Sequence, residues 1–358
     1  MNLRAAPLRK VLLALPLVVA TSCLAALWPV PTRATARTDV ARMHVDEAVW
    51  APPAWHPAAH ADLLVLDQLD GDGASRGPRV SAPSAIIADL DSGEVLFSRD
   101  ADTPRSIASV TKLFSALALA ATGSTDLDRS VCLGREHWPA MPGARSKFET
   151  GDCHTGWEYL GAALVASDNR GAMALPTVAG LDHHAFVARM TEVAGELGAA
   201  TASFSDPAGL LDENTASARD VLKAVVAVSL HPDLGAVASA PTWRIESDHG
   251  PRELGSTNRL VERHQTLAAK TGYTDTAHYC FATVVRTEDG RRLAVVVLGA
   301  PTSDARFRDT EALLRWARDP AAPEAAAPAP AARKPAAKKA PARKPAARKP
   351  AKKTARRR

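Results

Sequence analysis

The chain has 358 residues and a formal net charge of +5, but that total mixes three unlike segments. Residues 1–36 hold four basic residues and no acid, residues 321–358 hold thirteen basic residues and one acid, Glu324, and residues 37–320 hold 27 basic against 38 acidic residues. This excludes a body that is itself basic, since the high isoelectric point belongs to the ends, and a body of this length can bury a sizeable core in one or two domains.

Arg4, Arg9 and Lys10 precede an apolar run from Val11 to Val30, and Ala34-Thr35-Ala36 offers small residues for cleavage. Residues 1–36 therefore read as an export signal or, because the run is long, as an uncleaved membrane anchor. Residues 37–80, rich in Pro, Ala and Asp, read as a tether or a surface segment. Within them Asp70-Gly-Asp-Gly-Ala74 lacks the full ligand pattern of a calcium loop and reads as a turn.

Residues 81–320 carry the regular elements. Ser84 to Leu90 and Glu94 to Ser98 are expected as a β-hairpin about Asp91-Ser-Gly93. From Ser109 to Ala121 the apolar pattern is helical and nearly all round, as in a helix that runs through a core. Residues 123–156 are irregular and polar. Helices are expected from Trp157 to Val165, from Asn169 to about Val178, from His184 to Leu197 and from Ala218 to Leu230. Phe204-Ser-Asp-Pro-Ala-Gly-Leu210 is a turn-rich wall between the last two. Strand patterns return from Gln265, through Tyr279 to Val285 and Leu293 to Leu298, with Glu288-Asp-Gly290 as a hairpin turn. Ser303 starts a last helix through Arg318. Strands at both ends of the body flank a helical middle, which indicates an α+β architecture.

Export would place this body where disulfides persist. Cys132–Cys153 is the expected pair, closing a loop outside the regular elements for about 3 kcal/mol in the chain-entropy model. Cys280 lies in an apolar strand pattern and is expected to be a buried thiol. No Cys/His cluster has zinc spacing, so neither a metal site nor a cofactor is expected. His183-His184 reads as a solvated helix start. Residues 321–358, all Ala, Pro, Lys and Arg apart from Glu324 and Thr354, cannot build a core and are expected to form a disordered, polyanion-seeking arm.

Three short stretches carry chemistry: Ser109-Val-Thr-Lys112, Ser167-Asp-Asn169 and Lys270-Thr-Gly272. Positions i and i+3 share a helix face, so the Lys112 amine can sit beside the Ser109 hydroxyl. A serine needs a neighbouring base to become a nucleophile, and lysine serves if burial lowers its pKa, whereas arginine stays protonated. Outside the tail and signal the only lysines are Lys112, Lys147, Lys223 and Lys270, in a body that otherwise uses Arg. Two of those four fall in these stretches.

In this order the three stretches resemble the active-site set of penicillin-binding proteins and serine β-lactamases. Ser167-Asp-Asn-Arg170, Ser205-Asp-Pro-Ala-Gly-Leu210, Thr257-Asn-Arg-Leu260 and Lys270-Thr-Gly-Tyr273 resemble phrases of one subgroup. It is the low-molecular-weight penicillin-binding proteins that are D-alanyl-D-alanine endopeptidases of the penicillin-binding protein 7 type. Thr276-Ala-His-Tyr-Cys280 departs from that subgroup's Glu-Ala-Gly-Arg-Cys. The resemblance implies an antiparallel sheet flanked by helices with an inserted all-helical subdomain. It implies a penicillin-sensitive serine DD-peptidase of the periplasm or cell envelope, with peptidoglycan as substrate and β-lactam antibiotics as ligands. Ser109 would be the nucleophile and Lys112 its base. Ser167 would relay a proton to the leaving amine, Asn169 would orient Lys112 and substrate, and Lys270, Thr271 and Gly272 would hold the substrate chain. The N–H groups of Ser109 and Tyr273 would form the oxyanion hole. Carboxypeptidase and β-lactamase activities are the near alternatives, and a non-catalytic polyanion-binding surface protein is the distant one. With export, the tail is expected to meet anionic envelope polymers, and no specific nucleic acid.

Overall fold

A computed structural model describes residues 69–72, 77–123, 126–138, 146–247 and 250–318. The expected export signal, most of the tether and the basic tail lie outside the described residues.

The centre is a five-stranded antiparallel sheet built from both ends of the body. Its strands are β1 (Ser84–Asp89), β2 (Glu94–Arg99), β3 (Gln265–Thr274), β4 (His278–Arg286) and β5 (Arg292–Ala300), in the order β2-β1-β5-β4-β3. The joining of the two ends is the pairing of β1 with β5, Ser84 opposite Leu298 and Asp89 opposite Leu293. Strand β5 is apolar without alternation because both of its faces are covered. Leu293, Val295 and Val297 pack with Ala85, Ile87 and Phe97 under a C-terminal helix that supplies Leu313 and Leu314. Ala294, Val296 and Leu298 pack with Ile86 and Ala88 into the larger core on the other face.

That larger core is helical: α1 (Lys112–Ala120), α2 (Gly156–Leu164), α3 (Asn169–Val178), α4 (His183–Glu196), α5 (Ala218–Leu230) and α6 (Pro232–Ser239). The C-terminal helix is α7 (Ser303–Arg318). The starts of four helices follow from their caps. Thr155, Asp168, Asp182 and Ser217 each accept a hydrogen bond from a backbone N–H of the first turn. Thr302, rather than Ser303, caps α7 by accepting from the Ala305 N–H at 3.0 Å.

Two sequence expectations change. The helix expected from Ser109 begins at Lys112, and Ala108–Thr111 form a tighter 3-10 turn. Ala108 has φ +49°, which an α-helix cannot contain. Ser109 is therefore not a helix cap. After α5 the chain forms α6, with Pro232 in its first turn, and then a ribbon of Thr242–Ile245 with Arg252–Gly255, on which the sequence carries no expectation. Trp243 of that ribbon sits against Gly161 of α2, where any side chain would collide with its indole. The tether does not run to residue 80 as a free segment. Leu69 is fully buried, Arg219 donates to the carbonyls of Leu69 and Gly71, and Lys223 pairs with Asp70 at 2.7 Å.

Cys132 and Cys153 are bonded across the short ribbon of Ser130–Cys132 with Cys153–Thr155, and Cys280 is a buried free thiol. Burial pushes its thiol pKa up to about 11, so it stays protonated and inert.

Candidate active site

The 3-10 turn holds Ser109 half-buried between the buried Ala108 and Val110. A distant glycine packs against the turn. Gly209, itself at φ +74°, lies so close that a Cβ there would collide with the Ala108 carbonyl oxygen and approach Thr111 Oγ1 at 2.7 Å. One residue into α1, the Lys112 side chain is fully buried. Its Nζ lies 2.8 Å from Ser109 Oγ, 2.9 Å from Asn169 Oδ1 and 2.7 Å from the Ala208 carbonyl oxygen.

Two of those three partners can only accept. A neutral amine has two protons and one lone pair. Donating to Asn169 Oδ1 and Ala208 O uses both protons, which leaves the lone pair for the Ser109 hydroxyl. The geometry thus fits a lysine that receives the Ser109 proton. Burial pushes the Lys112 pKa down to about 7, against the raising influence of the Asp206 and Asp168 carboxylates.

The second stretch bridges α2 and α3. Ser167 has φ +58° and Asp168 caps α3, so the chain reverses within three residues. The Asp168 carboxylate also accepts from Ser146 Oγ at 2.7 Å and from the Lys147 N–H at 2.6 Å. It serves the turn, while Ser167 and Asn169 on either side face the amines. Positive φ at Ala108 and Ser167 is backbone strain of the kind that gathers at functional sites.

The third stretch lies on β3, the edge strand nearest Ser109. Lys270 is buried and its Nζ donates to Ser167 Oγ at 2.8 Å and to the Thr271 carbonyl at 2.9 Å. Burial, together with the positive charges of Lys112 and Arg306, holds its pKa well below the usual lysine value. Thr271 Oγ1 donates to Thr257 Oγ1 at 2.7 Å. Gly272 is required by close approach: a Cβ there would stand 2.7 Å from the Ile107 carbonyl and 3.2 Å from the Val110 nitrogen. Strand β3 can therefore lie against the Ser109 turn only without that atom. Tyr273 is about half exposed at the rim, its ring centroid 4.3 Å from that of Tyr279. The structure thus joins Ser109, Lys112 and Asn169 in one hydrogen-bonded group and Ser167, Lys270 and Thr271 in a second, with Gly272 packed against the Ser109 turn and Tyr273 next to it on the strand.

Three contributors have no role assigned from sequence: Asp206 and Thr257, which lie in stretches that resemble the subgroup's phrases, and Arg306, which the sequence does not single out. The Asp206 carboxylate gathers the N–H groups of Ala208, Gly209 and Leu211 at 2.7, 2.7 and 2.8 Å, and the Asn214 amide at 2.7 Å. This loop aims the Ala208 carbonyl at Lys112 and places Gly209 over Ala108. Its sequence signal, Asp-Pro-Ala-Gly, announces only a turn. The departure at Thr276–Cys280 also has a local reading. His278 stands where the subgroup has glycine, and it adopts φ +54°, a conformation histidine enters more readily than most side chains. Neither Glu149 nor Glu158 is placed to activate water. Glu149 lies exposed on its loop. Glu158 caps α2 by accepting from Thr155 N and Oγ1 at 2.9 and 3.0 Å. Burial would raise its pKa, but hydrogen bonds from His154 and the Glu246 and Thr155 N–H groups hold it at about 2, too weak a base for the task.

With this geometry in place, the likenesses to known proteins are specific. A family model described as D-alanyl-D-alanine carboxypeptidase matches residues 72–302. A D-alanyl-D-alanine endopeptidase of Pseudomonas aeruginosa is 30% identical over 267 residues, covering 71% of this chain and 85% of the relative. One of Escherichia coli is 30% identical over 251 residues, covering 67% and 78%. Among solved structures, penicillin-binding protein D2 of Listeria monocytogenes in its cefotaxime-bound form aligns with TM-score 0.59 at 29% identity. That alignment covers 67% of this chain and 98% of the other.

Proposed function

The chain belongs to the D-alanyl-D-alanine carboxypeptidase family, and we propose that it acts as an endopeptidase on D-alanyl cross-links between peptidoglycan stem peptides. At the broader level it is a penicillin-sensitive serine DD-peptidase. The observation that carries the mechanism is the buried Lys112 amine, whose two fixed carbonyl acceptors reserve its lone pair for Ser109.

Ser109 Oγ adds to the D-alanyl carbonyl carbon as its proton passes to Lys112 Nζ. The carbonyl oxygen becomes an oxyanion held by the N–H groups of Ser109 and Tyr273. The C–N bond then breaks, and the leaving nitrogen takes a proton through the Ser167 hydroxyl. That hydroxyl is free to donate because Lys270 donates to its oxygen. Water hydrolyses the resulting ester and returns the proton to Ser109. The Thr271 hydroxyl, braced by Thr257, binds the substrate chain or its carboxylate. Glu158, engaged in helix capping, does not supply the deacylating glutamate that a β-lactamase reading would need.

Two relatives at 30% identity named as endopeptidases favour cross-link cleavage over carboxypeptidase trimming. Separate digestion of cross-linked and uncross-linked muropeptides reads the choice. Dimers should fall to monomers faster than pentapeptides lose their terminal D-alanine; the reverse order makes the protein a carboxypeptidase.

The substrate lies outside the cytoplasm, so residues 1–36 act as export signal or anchor. The thirteen basic residues of 321–358 hold the enzyme on anionic envelope polymers. Deleting the tail should release the protein from isolated envelopes at low salt; unchanged retention would make the tail a solvated spacer.

A further inference from the structure

We propose that Arg306 is a positioning residue for the oxyanion hole, acting through the Gly272–Tyr273 peptide. Arg306 sits in the first turn of α7, 8% exposed, and makes no ion pair with a carboxylate among the described residues. Its Nη1 instead donates to two backbone carbonyls, Gly272 at 3.0 Å and Cys280 at 3.2 Å, and its Nη2 donates to Ser303 Oγ at 3.3 Å. Its Nε is buried without a hydrogen-bond partner among the described residues. A guanidinium buried without a counter-charge is a poor device for stability, since burying a charge is costly and a well-packed apolar side chain often serves as well. Its contacts point to another task.

Gly272 and Cys280 stand opposite each other in the register of β3 with β4. One nitrogen can reach both carbonyl oxygens only if both point into the gap between the strands. The Gly272 carbonyl and the Tyr273 N–H belong to one planar trans peptide, so they point in opposite directions. The Tyr273 N–H is therefore directed away from β4, out of the free edge of the sheet and into the cleft beside the Ser109 turn. Holding the carbonyl fixes the plane, and the plane fixes the N–H. A cation on the carbonyl also polarises the peptide and strengthens its N–H as a donor. Burial pushes the Arg306 pKa down to about 10, so it remains charged at neutral pH. The aromatic rings agree with this placement. Tyr279 lies between Arg306, whose guanidinium carbon is 5.5 Å from its ring centroid, and Tyr273, so the rim of the hole is braced from the same side.

This role rests on the serine-peptidase reading, and the test separates the two. The acylation rate constant and the pre-acylation dissociation constant for a fluorescent penicillin are measured for the full exported protein, for R306K and for R306M. The infrared carbonyl band of the penicilloyl ester is recorded in parallel. Loss of an oxyanion donor costs on the order of 10²–10³ in rate, so its misalignment in R306M should cost about ten- to a hundredfold. The loss should fall on the acylation step, with the dissociation constant changed by less than about threefold. R306K, which keeps the cation, should recover most of the rate. The ester carbonyl band should move to higher frequency in R306M as its hydrogen bonding weakens. If R306M melts early or loses its near-ultraviolet circular dichroism, R306Q carries the same test. Wild-type acylation rate and an unmoved carbonyl band in a folded variant overturn the proposal, as does a loss confined to the dissociation constant. A wild-type protein that penicillin does not label through Ser109 would instead overturn the peptidase reading.

Discussion

Ser109→Ala should abolish covalent labelling by a fluorescent penicillin while leaving the fold intact. The hydroxyl oxygen is the atom that would form the ester, and alanine supplies no replacement. Hydrolysis of D-alanyl substrates should fall by at least about 10⁴-fold, the scale of loss when a nucleophile is removed from a unit that works together. The structural cost should be small. Among the described residues Ser109 Oγ makes one side-chain hydrogen bond, to Lys112, whose amine keeps Asn169 and Ala208 as partners. A single such bond is worth about 1 kcal/mol, so Tm should shift by no more than about 4 °C in a body of this size. Intact-mass analysis with and without penicillin checks the result: wild type gains one adduct and the variant gains none. A retained adduct in Ser109→Ala would move the nucleophile elsewhere, and the roles assigned to Lys112 and Tyr273 would fall with it.

The parts of this site that could be seen in the sequence are those whose chemistry depends on residue type. An amine at positions 112 and 270, in a body that otherwise prefers arginine, marks a requirement that a guanidinium cannot meet. The spacing of Ser109 to Lys112 and the triplet between two helices then place those groups. The helix α5 was legible from Ala218 to Leu230 in its apolar period, and the structure adds Ser217 as its cap. The 3-10 turn was not legible, since nothing in Ile107-Ala-Ser-Val110 calls for a positive φ. The Ala108 carbonyl is accommodated by Gly209, a hundred positions away, where a Cβ would collide with it. The same holds for Asp206, whose sequence announces a turn while its product is a carbonyl aimed at Lys112. Arg306 was hidden for the opposite reason. An arginine in the first turn of a helix, followed by Phe307, looks like a solvated neighbour of an apolar stripe, and only the tertiary fold shows that it is buried on β3. The ribbon of Thr242–Ile245 with Arg252–Gly255 drew no expectation from sequence: its strands are four residues each, and Trp243 packs against Gly161.

The base is where electrostatics gives a sharp expectation. With the Lys112 pKa brought down to about 7, its amine is half neutral near neutral pH. Below that pH it is an ammonium with no lone pair for the Ser109 proton. The acylation rate constant for a penicillin should therefore rise with pH, bend near 7 and level off above about 8. Below about pH 6 it should fall tenfold for each unit, because the neutral fraction does so. Lys270 adds a constraint. Its own pKa is held well below the usual lysine value, first by burial and then by the Lys112 and Arg306 charges, so its titration must be told apart from that of Lys112. Substitution separates them. Lys112→Arg keeps a cation beside Asn169 and Ala208 but cannot release its proton, and it should lose acylation by about 10³-fold or more at every pH between 6 and 9. It should also lose the ascending limb, because the titrating base has gone. A flat wild-type profile between pH 5.5 and 8.5, or a Lys112→Arg protein that still acylates with the wild-type bend, would show that another group takes the Ser109 proton. The charge of Lys112 would then serve the developing oxyanion, and its burial between two carbonyl acceptors would need a different explanation.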